Sequence, residues 1–359
     1  MKKICIIFGT RPEIIKLAPL IKILENKKKN FFLIFTNQHY DKNMSKIFFN
    51  EFKIKKPKHI LKVKKNKNLS FINSTKEKII KILDKEKPDI VIVQGDTNTS
   101  LSGALAVKTI QDKIKHPIYL AHIEAGLRSY DYRMPEEFNR TVIDHFSDIL
   151  FAPTNIQKKI LITEGVSSKK IFLVGNTIVD ALKIITSKKK KFNKPTVVLT
   201  LHRSELLSDR PLMKKIFEML NSVAISNKLN FEFFCHPRTQ KIIKKYKIRL
   251  NKNFRIKEPV NYKVFLKYIK GADIILSDSG GIQEEACILK KSLITLRFNT
   301  ERPETLNIGA NFLSMREKLI SKRIKFILRS NPKWNSPYGN NVSNKIYKII
   351  FNEKNTLYS

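Results

Sequence analysis

Short unbroken apolar runs recur along the chain. Each closes on a polar turn and gives way to a stretch whose apolar residues are spaced three and four apart. Ile4–Phe8 is the first run, closing on Gly9-Thr10-Arg11-Pro12-Glu13. The helix that follows carries Ile14, Ile15, Leu17, Ala18, Leu20, Ile21 and Leu24, and Pro12 suits its first turn. Phe31–Phe35 is a second strand, followed by a Lys-rich, weakly patterned stretch to about Lys67. The pattern then predicts a helix over 71–83, a strand over 89–93, a helix over 100–110 and a strand over 118–122. A helix over 136–145, short strands over 148–151 and 171–174 with a helix between them, and a helix over 177–185 complete this half. Strands that alternate with helices imply a doubly wound parallel sheet.

Residues 188–195 read as a Lys-rich linker, and at Thr196 the alternation restarts. Strands are expected over 197–200, 231–235, 254–256, 273–276 and 292–296, with helices over 212–223, 264–269, 282–289 and 342–352. The expected organisation is therefore two Rossmann-like α/β domains. One spans 1–178, with the C-terminal helix of about 342–359 packed back on it, and the other spans 179–341.

Composition adjusts this picture only in places. The 359 residues suit two cores, and 42% hydrophobic content is that of a globular protein. No apolar stretch reaches the roughly 20 residues of a membrane span. The charged turn at 9–13 interrupts what would be the apolar region of a signal peptide, so 4–8 is read as a strand. Cys5, Cys235 and Cys287 lie far apart in apolar runs, which points to buried thiols, a reducing compartment and a cytoplasmic location. The net charge of +39 admits a polyanion partner. Its lysines, however, are spread over the whole chain without interleaved aromatics, so compositional drift is the preferred explanation and no nucleic-acid partner is expected.

The candidate chemistry gathers at strand ends, where parallel α/β sheets bind ligands. The densest segment is HIEAGLRSYDYRMPEEFNR from His122, with Glu124, Asp131, Glu136 and Glu137 among Arg128, Arg133 and Arg140. A surface ion-pair network is the plainer alternative. Arg11 and Lys16 flank a helix start, where free backbone N–H groups favour an anion; two merely solvated surface cations are the equal alternative. Asp96 either caps the helix after it or is a carboxylate held at a functional strand end. Ser279-Gly280-Gly281 before a helix is a diphosphate cradle on physical grounds. Glu284 and Glu285 in the following turns either ease the dipole or bind ribose hydroxyls. His202 ends another strand, and Arg297 and Arg302 add cations near a third. No G-x-G-x-x-G or Walker loop occurs, so neither a dinucleotide nor any other cofactor is expected. No His-x-x-x-His or Cys-x-x-Cys occurs, and His122-x-Glu124 lacks the paired cysteines of a deaminase zinc site, so no metal is expected.

Nine segments in order resemble the non-hydrolysing UDP-N-acetylglucosamine 2-epimerases: GTRPEIIKLAPLI from Gly9, QGDTNTS from Gln94, HIEAGLRS from His122, PEEFNR from Pro135, FAPT from Phe151, GNTIVD from Gly175, TLHRSE from Thr200, SDSGGIQEEA from Ser277 and TERPE from Thr300. Each alone is weak, but the ordered set is specific and spans nearly the whole chain. The resemblance implies two Rossmann-like domains of glycosyltransferase-B type with the UDP-sugar in the cleft between them, and a homodimer. It places catalytic roles on Asp96, Glu124, Glu136 and His202. It places UDP binding on Arg11, Lys16, Phe265, Ser279, Gly280, Gly281, Glu285 and Arg302. A second, allosteric UDP-GlcNAc site of bacterial members has counterparts in Gln38, His39, Glu136, Arg203 and His236. Asp41 replaces a glutamine there, and the arginine expected near 65–67 is missing. Val260 stands where the family has a glutamine at the uracil end.

The implied reaction is C2 epimerisation of UDP-GlcNAc to UDP-ManNAc for surface polysaccharide or glycan synthesis. The C2 proton has no carbonyl beside it. The route expected is therefore elimination of UDP to a 2-acetamidoglucal and re-addition, with carboxylates near C1–C2 and cations on the diphosphate. The sequence leaves open which carboxylate takes the proton. It also leaves open a 6-deoxy or uronate UDP-2-acetamido sugar as substrate, a hydrolysing epimerase, and, in a different class, a basic nucleic-acid-binding protein.

Overall fold

A computed structural model describes residues 2–38, 49, 51–63, 68–111, 117–185 and 187–352. They divide into two compact units, 1–184 with 338–359, and 185–337.

The first unit is a seven-stranded sheet in the order β3-β2-β1-β4-β5-β6-β7, every described pairing parallel. Its strands are β1 (Ile4–Phe8), β2 (Phe31–Phe35), β3 (His59–Ile60), β4 (Ile90–Gln94), β5 (Tyr119–Ile123), β6 (Ile149–Ala152) and β7 (Ile171–Leu173). The helices are α1 (Arg11–Asn26), α2 (Asn68–Glu86), α3 (Asn98–Gln111), α4 (Pro135–Phe146), α5 (Asn155–Thr163) and α6 (Ile178–Ile184), joined by the C-terminal α14 (Val342–Phe351). β1 is apolar throughout, β4 is apolar up to its last residue Gln94, and both are buried at every position, as central parallel strands covered on both faces must be. The unit ends after Ile184 rather than at the 178/179 boundary drawn from the sequence, because α6 packs on α1 and α14. The weakly patterned stretch before Lys67 contains the edge strand β3, too short to register as an apolar run.

The second unit is a six-stranded parallel sheet in the order β10-β9-β8-β11-β12-β13. Its strands are β8 (Thr196–Thr200), β9 (Asn230–Phe234), β10 (Phe254–Lys257), β11 (Ile274–Ser277), β12 (Leu293–Thr295) and β13 (Asn311–Leu313). The helices are α7 (Ser204–Leu207), α8 (Arg210–Ser226), α9 (Pro237–Lys245), α10 (Tyr262–Gly271), α11 (Gly280–Ile288), α12 (Pro303–Asn307) and α13 (Glu317–Ser330). The pattern did not predict β13, α7, α9, α12 or α13. In both sheets the strand order reverses direction beside the first strand, between β1 and β4 and between β8 and β11. Such a switch point leaves a crevice at the carboxyl ends of the strands, where a ligand can lie.

Candidate active site

At the first switch point the turn after β1 is held by the helix it starts. Glu13, 1% exposed, accepts the backbone N–H groups of Gly9 (3.1 Å) and Thr10 (2.8 Å) on Oε2. Its Oε1 accepts the hydroxyls of Thr97 (2.9 Å) and Ser100 (3.2 Å), which belong to the turn after β4 and the first turn of α3. Burial pushes the Glu13 carboxyl up to about 7, against hydrogen bonds that favour its charge. This carboxylate thus ties the Arg11 turn to the Asp96 turn. Arg11 is the first residue of α1 and half-buried.

Strand register brings two candidate carboxylates together. Gln94 of β4 lies opposite Ile123 of β5, so Asp96, two residues past β4, and Glu124, one past β5, stand beyond adjacent strand ends. Glu124 has φ of +73°, a left-handed conformation that is uncommon for a residue with a side chain and is held only where surroundings fix it. The fixing groups are visible. Lys16 Nζ lies 2.6 and 2.7 Å from the two Glu124 carboxylate oxygens, and the Gln94 side-chain amide donates to Oε2. Lys16 and Glu124 are both buried, so Lys16 is not a solvated surface cation. Asp96 accepts from Arg140 Nε (2.9 Å) and Nη2 (2.6 Å), and its backbone carbonyl accepts from the Asn139 side chain. Arg140 reaches Glu137 with its other arm at 2.5 Å, and Glu137 accepts the Ser129 and Tyr130 backbone amides. Asp96 is therefore a carboxylate held at a strand end by an arginine of α4. Glu136, in the first turn of the same helix, is exposed.

Behind these residues lies a buried chain. His122 Nε2 is 2.8 Å from the Gly95 carbonyl and Nδ1 is 2.7 Å from Asp144 Oδ1. The other Asp144 oxygen accepts the Gly126 amide (3.1 Å) and faces Arg128 at 2.8 Å, and Arg128 continues to Glu164. Burial opposes the Asp144 charge, but the contacts with His122 and Arg128 outweigh it and hold this carboxyl below its ordinary value. The ion pairs of Arg128 and Arg140 are thus interior, not a surface network, whereas Arg133–Asp131 has an exposed cation.

Gln38 accepts the Thr99 backbone amide and hydroxyl on its side-chain oxygen at 3.0 and 2.9 Å. His39, Asp41 and the stretch 65–67 lie outside the described residues.

At the second switch point a buried carboxylate again organises the turn. Asp278, just beyond β11, accepts the backbone amides of His202 and Arg203 on Oδ2, both at 2.8 Å. His202 Nδ1 sits 3.1 Å from Asp278 Oδ1, and the imidazole is 44% exposed. Burial works against the Asp278 charge, but His202 and the two amides prevail and hold the carboxyl below its ordinary value. Arg203 Nε donates to the Asp278 carbonyl at 3.0 Å, and its Nη2 lies 3.3 Å from Glu301. Glu301 is also bound by Arg297 at 2.7 Å.

The helix α11 starts at Gly280, with Ser279 at its N-cap. A Cβ on Gly280 would lie 2.2 Å from Glu301 Oε1, whereas a Cβ on Gly281 would meet nothing within 4 Å. Gly280 therefore serves close packing, and Gly281 leaves its backbone open at a helix N-terminus. Arg302 donates from Nε to Glu284, so Glu284 orients an arginine. Glu285 accepts the Tyr262 hydroxyl at 2.8 Å. Phe265 packs edge-on against Phe234, ring centroids 5.1 Å apart. His236 is exposed and caps α9 through Arg238 N–H.

Asp96, Glu124, Lys16 and Arg11 thus gather on one switch point, and His202, Arg203, Ser279, Gly280 and Gly281 on the other. Sequence reasoning gave no role to Glu13, Asp144, Asp278 or Glu301. The spacing of Thr10 and Glu13 is a capping-box signature, and that signal was available for Glu13. Asp144 carries no local signal, because its partners His122, Gly126 and Arg128 lie far before it in the sequence.

A model of the UDP-N-acetylglucosamine 2-epimerase family matches residues 22–351. The UDP-N-acetylglucosamine 2-epimerase of Methanocaldococcus jannaschii is 46% identical, over 97% of this chain and 98% of its own length. The UDP-2,3-diacetamido-2,3-dideoxy-D-glucuronate 2-epimerase of Pseudomonas aeruginosa is 36% identical, over 87% of this chain and 88% of its own. A crystal structure of the M. jannaschii UDP-GlcNAc 2-epimerase in complex with UDP-GlcNAc and UDP matches with a TM-score of 0.87 and 43% identity, covering 97% of this chain and 99% of that one. The two parallel-sheet units accordingly have the glycosyltransferase-B type of fold.

Proposed function

The chain belongs to the UDP-N-acetylglucosamine 2-epimerase family, and from that premise we propose that it interconverts UDP-GlcNAc and UDP-ManNAc by eliminating and re-adding UDP. The observation that carries this reading is the pair Asp96 and Glu124, two carboxylates placed on neighbouring strand ends and each gripped by a buried cation.

In this reading a carboxylate of the group Asp96, Glu124 and Glu136 removes the C2 proton. The C1–O bond breaks, its electron pair leaves with UDP, and a C1–C2 double bond forms. Return of a proton to the opposite face of C2, followed by attack of UDP on C1, gives the epimer with no net change in atoms or charge. Proton transfer by positioned carboxylates supplies a rate factor of about 10²–10⁴. Lys16, bound to both Glu124 oxygens, fixes the direction in which that carboxylate can act.

The leaving diphosphate is assigned to the second unit. The helix N-terminus at Gly280–Gly281 and the Arg302 guanidinium, aimed by Glu284, stabilise the negative charge that develops as the C1–O bond breaks. His202, oriented by Asp278 through Nδ1, presents Nε2 as a donor or proton carrier. Phe265, packed on Phe234, is assigned to the uracil end, and Glu285, which accepts the Tyr262 hydroxyl, to the ribose.

Proton NMR of the purified protein with UDP-GlcNAc in D2O tests the proposal. UDP-ManNAc with deuterium at C2 is expected. Free ManNAc plus UDP would replace it with a hydrolysing reaction, and an epimer that keeps its C2 proton would exclude exchange with solvent. The relative acting on a diacetamido uronate makes 6-deoxy and uronate UDP-2-acetamido sugars the second set to try, and turnover of these alone would move the substrate assignment while leaving the chemistry.

A further inference from the structure

His122 is buried to 1% exposure, and the proposed chemistry gives it no proton to move. Its two contacts define its state. Nε2 faces the Gly95 carbonyl oxygen at 2.8 Å, which can only accept. Nδ1 faces Asp144 Oδ1 at 2.7 Å. The Asp144 carboxyl accepts on its other oxygen from the Gly126 amide and lies against the Arg128 guanidinium, so it too acts only as acceptor. A neutral imidazole has one donor and one acceptor nitrogen, and would leave a lone pair pointing at one of these oxygens. An acceptor on each side calls for hydrogen on both ring nitrogens.

What the ring joins gives it a purpose. Gly95 directly precedes Asp96, and Gly95 N–H also donates to Ile123 O, directly before Glu124. Asp144 fixes Gly126, two residues after Glu124. The charged groups around the ring are Asp144 from α4, then Arg128 from the loop after β5 and Glu164 beyond it. From the end of β4 the ring meets a carbonyl dipole. A core histidine packed merely for volume would not need an acceptor on each nitrogen.

We propose that His122, as an imidazolium paired with Asp144, is a positioning residue that sets the spacing between the Asp96 and Glu124 carboxylates. The proposal rests on the epimerase reading for what the spacing is used for, but not for the geometry itself. Misplacement of reacting groups by about 1 Å can cost about a hundredfold in rate, and this is the size of effect expected.

The direct test is ¹⁵N NMR of the histidine side chains in the intact wild-type protein in neutral buffer, with His122 assigned by its absence in a variant. Two protonated ring nitrogens are expected, and one bare nitrogen would overturn the proposal. His122→Phe, with no donor, should lower kcat about a hundredfold while KM for the UDP-sugar stays within about threefold, and should shift the backbone amide signals of Asp96 and Glu124. His122→Gln, whose amide still donates to Gly95, should recover part of that loss. A folded His122→Phe protein with unchanged kcat and unchanged amide signals would refute the assignment. If His122→Phe does not fold, Asp144→Asn and the wild-type ring spectrum decide instead, with unaltered turnover in Asp144→Asn counting against it. Absence of epimerisation in the wild type, together with a doubly protonated ring and shifted Asp96 and Glu124 amides in the variant, would remove the epimerase reading and leave the positioning role standing.

Discussion

Both units solve the same problem at their switch points and reach opposite electrostatic results. In each, a buried carboxylate collects two consecutive backbone amides from the turn after the strand at the switch: Glu13 takes those of Gly9 and Thr10, and Asp278 takes those of His202 and Arg203. Glu13 is otherwise surrounded by hydroxyls, and burial raises its carboxyl to about 7. Asp278 lies against His202, and its carboxyl is held low. In the first unit Lys16 and Arg140 are spent on Glu124 and Asp96, where the proposed proton chemistry takes place. The second unit keeps a half-exposed imidazole and an open helix N-terminus, the features suited to an anion. One scaffold thus presents cation-held carboxylates at one switch point and an imidazole beside a helix N-terminus at the other.

The largest effect should come from removing charge on the carboxylate side alone. Glu124→Gln and Asp96→Asn should each lower turnover about a thousandfold, while UDP affinity, measured by calorimetry, changes little. Equal losses of turnover and of UDP affinity would break the division of labour between the units.

A second prediction concerns pH. Glu13 rises from an ordinary 4.5 to about 7 on folding, so the folded state binds the extra proton between these values. Stability from this group is fully present below 4.5 and is lost as pH climbs to about 7, by about 3 kcal/mol in all. Denaturant titrations of Glu13→Gln should lack that decline. Asp278 has the opposite sign. Its carboxyl is lowered from 3.8, so its contribution is present above that value and is lost as pH falls below it. Asp278→Asn should therefore flatten only the acid side of the stability curve. The same slope in both variants would show that the two turns are electrostatically alike.

The smallest effects separate the adjacent glycines. Gly280→Ala drives a methyl onto Glu301 and should lower both melting temperature and UDP affinity. Gly281→Ala meets open space and should stabilise the helix by about 0.5–1 kcal/mol while weakening UDP binding. Unchanged UDP affinity in Gly281→Ala would take the diphosphate away from this helix.

The central strands and long helices were legible because their burial leaves apolar runs and helical spacing. Ile4–Phe8 and Ile90–Gln94 are buried at every position, and the sequence shows them so. Asn311–Leu313 and His59–Ile60 were not legible, since two or three residues on a sheet edge carry no period. The helix Glu317–Ser330 does bury Ile320, Ile324 and Ile327 at helical spacing, but five lysines and arginines obscure it. In the site, residues at strand ends could be found because the chemistry and the turn coincide there. The residues that hold them could not, because a bond such as His122 to Asp144 joins positions 22 apart with no pattern linking them.

The return of the C-terminal helix to the first unit bears on how the protein is made. Ser343 N–H caps onto Asp180 at 2.7 Å, Asn176 N–H donates to Tyr338 O at 3.0 Å, and Gly175 leaves room for that carbonyl, which a Cβ would approach to 2.3 Å. The second unit is one uninterrupted stretch, 185–337, inserted into the first. On the ribosome the inserted unit has its whole sequence before the unit that was begun earlier. The first unit must wait, with the faces of α1 and α6 uncovered, for the last turns of chain to arrive. Proteolysis of stalled nascent chains should find 185–337 protected before 1–184, the reverse of the order in which they are translated.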